Sequence, residues 1–146
     1  MNTHTGQIRS VVAYVIYALL NPIPYGFFVG ALIFDATYAS NGDVLWVKAA
    51  AWLITFGLLF AIIPRLINLV HVWLAPSRTP YLEKVDFWLN LVAILVAIVN
   101  AFVHSRDAYA AVPEAVWLSA ITVLLLVVST MVLAAQCAAA KRVDHE

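Results

Sequence analysis

Charge is what this chain has least of. Asp, Glu, Lys and Arg make up 11% of its 146 residues and cancel to a net charge of zero, where a soluble domain carries roughly a quarter. Such a chain has too few polar side chains to solvate a folded surface, and its neutrality leaves no basic patch for nucleic acid. A Gly-rich phosphate loop is missing, as is any pair of zinc-type ligand clusters. Cysteine occurs once, at Cys137, which excludes an intrachain disulfide. A single arginine, Arg9, precedes the first apolar run and no small-residue cleavage site follows, so the segment is expected to be retained and not to act as a signal peptide.

What is abundant is apolar surface, with 64% of the residues hydrophobic. The stretches Val11 to Phe34, Phe87 to Val103 and Ala115 to Ala140 carry no Asp, Glu, Lys, Arg or His, and Val44 to Ile63 is broken only by Lys48. Each is close to or longer than the ~20 residues that cross a bilayer. The expectation is an all-α integral membrane four-helix bundle, one transmembrane domain over 1–146 with spans at about 11–38, 44–74, 84–105 and 114–139. Asn21-Pro22-Ile23-Pro24 interrupts the first of these, because proline removes a backbone donor and crowds the preceding turn. Either one kinked helix crosses there, or an interfacial N-terminal helix precedes a short span. The stretch after Pro64, with Arg65, Asn68 and His71 on one arc, is expected near the cytoplasmic surface. Four spans place Arg9, Arg65, Arg78, Lys84, Lys141 and Arg142 on one side and only Lys48 and Arg106 on the other. Short loops rich in Lys and Arg stay in the cytoplasm, so both termini are expected there.

A polar side chain inside hydrocarbon turns towards other helices. Asp86, Asn90, Ala93, Ala97, Asn100, His104 and Asp107 recur at intervals of four and three, which keeps them on one helix face, while Trp88, Leu91, Leu95 and Phe102 point elsewhere. That face is expected to line the bundle interior, with Asp86, Asn90, Asn100, His104 and Asp107 as its polar members. Ser119, Thr122, Ser129 and Gln136 form a weaker stripe on the fourth span. Gly26 and Gly30 make a GxxxG pattern suited to close helix packing. The stripe has only alanines at its midpoint, which argues against an ion path. His71 and His104 stand on the order of 25 Å apart along the bundle and cannot share one iron. Ser105 diverges from the adjacent His104, and Ser119 has no acid or histidine near it in sequence, so no nucleophile with a positioned base is legible. Asp35, His104, Arg106 and Asp107 gather at one set of helix ends and are expected to form an exposed periplasmic docking rim. No metal site is expected.

The run from Asn21 to Asp35, the region of Trp52, and Asp86 through Asp107 resemble the DUF2231 family of small bacterial membrane proteins, over about residues 21–138. The resemblance implies a four-helix membrane domain in a bacterial inner membrane, akin to membrane companions of periplasmic redox proteins. Many members carry His-Pro and a second histidine four residues on; here Asn21-Pro22 and Gly26 stand in those places, so no histidine-based role carries over. The expected function is that of a non-enzymatic multi-pass subunit or anchor of a respiratory, photosynthetic or dehydrogenase complex. Its partners would be the lipid bilayer and other membrane or periplasmic subunits, with no cofactor expected. The alternative is a redox component holding haem or quinone between helices, near Asn21, Arg65 and Asn90 or at the His104 end.

Overall fold

The computed structural model describes residues 12, 15, 16, 18–70, 72, 81–106 and 108–143, without the side chains of 108, 109, 136, 137 and 139–143. Four long helices run up and down among these residues: α1 (Pro22–Asn41), α2 (Val44–Leu69), α3 (Tyr81–His104) and α4 (Glu114–Val143). Four segments, Ala18–Asn41, Val44–Leu69, Tyr81–His104 and Glu114–Ala135, are long and apolar enough to cross a membrane. The protein is an all-α membrane four-helix bundle.

The prolines expected to break the first span instead open α1. Pro22 stands at the first helical position, where a missing N–H is no loss. Ala18 to Leu20 are already helical, with Asn21 as a one-residue turn in between. The other end of α1 stops at Gly42, whose φ of 71° suits a residue without Cβ and whose N–H reaches Tyr38 O. Asp43 then caps α2 by accepting from Leu45 N at 3.0 Å. A connection this short forces α1 and α2 into an antiparallel hairpin. Pro64 lies inside α2, which continues through it to Leu69. Between α3 and α4 the chain makes a 3-10 turn, Ala108–Ala111.

Every helix turns a heptad-like seam inward: Phe28, Ala31, Asp35 and Tyr38 from α1, Val47, Ala50, Ile54, Gly57 and Ala61 from α2, Asn90, Ala93, Ala97 and Asn100 from α3, and Ala115, Ser119, Thr122, Leu126 and Ser129 from α4. These are mostly small or polar, while Trp52, Leu59, Leu95, Phe102, Trp117 and Leu124 are exposed. Small residues inside and bulky apolar ones outside is what close helix packing in lipid requires, since burying Leu gains nothing there. Outward hydroxyls satisfy themselves within their own helix: Thr37 donates to Ile33 O and Thr55 to Ala51 O.

The helices stand around a square. α1 packs on α2 and α3 on α4, α1 also meets α4 and α2 meets α3, leaving α1 and α3 diagonally opposite. The α3–α4 register is set by two bonds, Asn100 to Ser119 and Asn90 to Ser129. Ten residues separate the members on each helix, so the two bonds report one antiparallel alignment. The same alignment sets Ala93 level with Leu126, Ala97 with Thr122, and His104 with Ala115, all consistent with the buried seams.

Candidate functional site

Asp35 is carried inward by the heptad spacing of α1 and is 1% exposed. A carboxylate so placed in lipid is tolerable only with partners, and two side chains supply them, themselves held by Asn100. His104 Nε2 lies 2.8 Å from Asp35 Oδ1, across the bundle diagonal. Ser119 Oγ, from α4, donates to Asp35 Oδ2 at 2.5 Å. Asn100 Nδ2 donates to Ser119 Oγ at 2.7 Å. His104 Nδ1 lies 2.9 Å from the carbonyl oxygen of Asn100 one turn earlier. The four residues thus close a ring that ties α1, α3 and α4 together.

The ring determines its own proton inventory. A carbonyl oxygen can only accept, so Nδ1 of His104 carries a hydrogen. The contact from Nε2 to Asp35 then holds one further proton, on either the imidazole or the carboxyl. Both forms leave the pair electrically neutral, which removes most of the penalty for burying charge. The order of groups is Ser–Asp–His, with the carboxylate in the middle. A hydrolytic triad needs the histidine there, taking the serine proton; Ser119 instead donates its hydrogen bond to Asp35. Both nitrogens of His104 are engaged, so axial ligation of an iron by this residue would require breaking the ring.

A second node lies towards the other end of the same seam. Asp86 Oδ1 accepts from Ser129 Oγ and, at 2.9 Å, from Asn90 Nδ2, which also approaches Ser129 Oγ at 2.5 Å and Asp86 O at 2.9 Å. Carboxylate, serine and asparagine recur in both nodes, separated by the apolar layer of Phe28, Ala31, Ile54, Ala93, Ala97 and Leu126. In each node the asparagine Oδ1 is buried without a partner. Further towards the same end, Arg65 Nη2 donates to Asn21 Oδ1 at 2.8 Å.

The polar face of α3 faces inward at Asp86, Asn90 and Asn100, and the His104 side chain is 1% exposed even though the residue ends its helix. Asp107 lies outside the described residues, as do His71 and Arg78. The exposed rim needs correction. Asp35 and His104 are buried against each other, because α1 runs more than a turn beyond Asp35 to Asn41. Arg106 does reach solvent, where it pairs with Glu114 at 3.5 Å, the two side chains being 61% and 58% exposed. The glycine pattern needs a correction too. A Cβ on Gly26 would meet nothing within 4 Å, and of the two only Gly30 abuts α2, where a Cβ would stand 3.0 Å from Leu53 Cδ1. The tightest approach is at Gly57, where a Cβ would stand 2.9 Å from Phe28 Cε1, a contact that the sequence did not reveal. Asp35 and Ser119 were visible in sequence as a polar residue at a span end and a stripe member; their pairing, across 84 positions, was not. Among the described residues no three His, Cys, Asp or Glu side chains are gathered to hold a metal.

Four apolar helices with polar seams and lipid-facing bulk define a multi-pass, all-α membrane protein. Residues 14–144 match the model of the family described as "Predicted membrane protein (DUF2231)", and the chain belongs to that family. No curated protein and no solved structure matches it.

Proposed function

We propose that this chain is a non-catalytic membrane subunit or anchor, holding its place in a bacterial inner membrane with both termini in the cytoplasm and associating there with other membrane or periplasmic subunits. The observation that carries this reading is the closure of the Asp35–His104–Ser119–Asn100 ring, in which the groups fit for acid–base chemistry are engaged with one another inside the bundle. A ring that joins three helices serves to fix helix positions. The bias of Lys and Arg supports the orientation.

Native membranes extracted in a mild detergent provide the test. A tagged chain at its native abundance should co-migrate on size exclusion with at least one other membrane or periplasmic chain in fixed ratio. Recovery of the tagged chain alone, with a haem absorption band in the visible, would overturn the proposal in favour of a redox component.

A further inference from the structure

The guanidinium of Arg65 is poorly compensated for its surroundings. It is half-buried near the end of α2, and its one bond among the described residues, from Nη2 to Asn21 Oδ1, is to a neutral acceptor. Nη1 is buried and has no partner among the described residues. One turn further along the same face, Asn68 Nδ2 is also buried and unpartnered. Both orphaned atoms are donors, and arginine keeps its charge under all ordinary conditions. Only an acceptor can satisfy them, and only an anion can also balance the charge. Asn21, at the entrance to α1, turns its side chain to Arg65 and caps nothing in its own helix, which holds the guanidinium in place. A planar guanidinium presents paired donors matched to phosphate or carboxylate oxygens. The level along the bundle fits as well: at 26 residues α2 is about 39 Å long, exceeding the ~30 Å hydrocarbon layer, so its last turns reach the headgroups.

We propose that Arg65, Asn68 and Asn21 form a seat for a phosphate-bearing anion between the start of α1 and the end of α2, as offered by the headgroup of an anionic phospholipid. The full chain, purified in a neutral detergent, would be unfolded thermally with phosphatidylglycerol, with phosphatidylcholine of the same acyl chains, or with inorganic phosphate. Phosphatidylglycerol is expected to raise the unfolding temperature saturably and phosphatidylcholine not to. Arg65→Gln should raise the half-saturating concentration about tenfold, as expected for a lost charge-assisted bond, and Arg65→Lys should recover part of it. Asn68→Leu, which removes the second donor and keeps the charge, should weaken the response about threefold. Lys84→Gln, at an exposed cation on the same end of the bundle, should leave it unchanged. An Arg65-dependent response to inorganic phosphate alone would assign the seat to a soluble anion with the same chemistry. Equal responses to the two lipids, a parent-like response from Arg65→Gln and Asn68→Leu, or an equal loss in Lys84→Gln would each overturn the seat.

Discussion

Asp35 and His104 lie in the interior of a lipid-spanning bundle, and each is tolerable there because of the other. Removing one partner of a buried pair leaves the second uncompensated, at a cost of about 3–5 kcal/mol in soluble proteins. Removing a neutral interhelical hydrogen bond in a membrane bundle costs about 0.6–2 kcal/mol. His104→Leu and Asp35→Leu should therefore each destabilise the protein more than Ser119→Ala does. Asp35→Leu with His104→Leu should destabilise less than the sum of the singles, with a coupling of about 1–3 kcal/mol. Reversible unfolding in mixed detergent micelles measures all four corners of the cycle, and additivity would mean that the pair does not hold the helices. Sequence reading placed Asp35 and His104 at the same membrane level but on an open rim. The spacing of α1 was legible; the extra turn beyond Asp35, which carries it into the interior, depended on where Gly42 ends the helix.

At the scale of the helix, packing follows the size of seam residues, and the two motifs of close approach are not equivalent. Gly57 faces the ring of Phe28, a buried side chain with little room to yield, whereas Gly26 faces open space. Gly57→Leu should cost about 1–3 kcal/mol by overpacking the α1–α2 contact, and Gly26→Leu should be close to neutral. Thermal unfolding of the two variants decides this, and equal losses would show that the seam lies on the GxxxG face. The face of α3 was legible because asparagines mark it in an otherwise apolar helix. The seam of α2 was not, since Val47, Ala50, Ile54, Gly57 and Ala61 differ from the lipid-facing residues in size and hardly at all in polarity.

For the molecule as a whole, four helices in up-and-down order put the Ser40 and Ser105 connections at one end and the start of α1 and the end of α4 at the other. Six Lys and Arg residues against two then favour termini in the cytoplasm. With Cys137→Ala as background, Ser40→Cys in intact cells should react with a membrane-impermeant thiol reagent and Ser77→Cys should react only after lysis. The reverse pattern would invert the topology. An inverted protein would keep the same folded bundle, because both polar nodes are internal and do not sense which side is which.

Hydropathy and length alone decided that the chain enters a membrane and crosses it four times, since a bilayer rewards uninterrupted apolar helices whatever their neighbours. Local chemistry also decided where α1 gives way to α2, through Gly42 and Asp43. Only the tertiary structure decided that Asp35 meets His104 across the diagonal, that Ser119 and Ser129 each complete a carboxylate–asparagine node, and that Arg65 is left with donors to spare. Those outcomes depend on the rotation and axial register of one helix against another. In lipid, unlike water, the medium outside a helix is as apolar as the seam within, so hydrophobicity cannot specify that rotation; residue volume and a few hydrogen bonds between distant positions do.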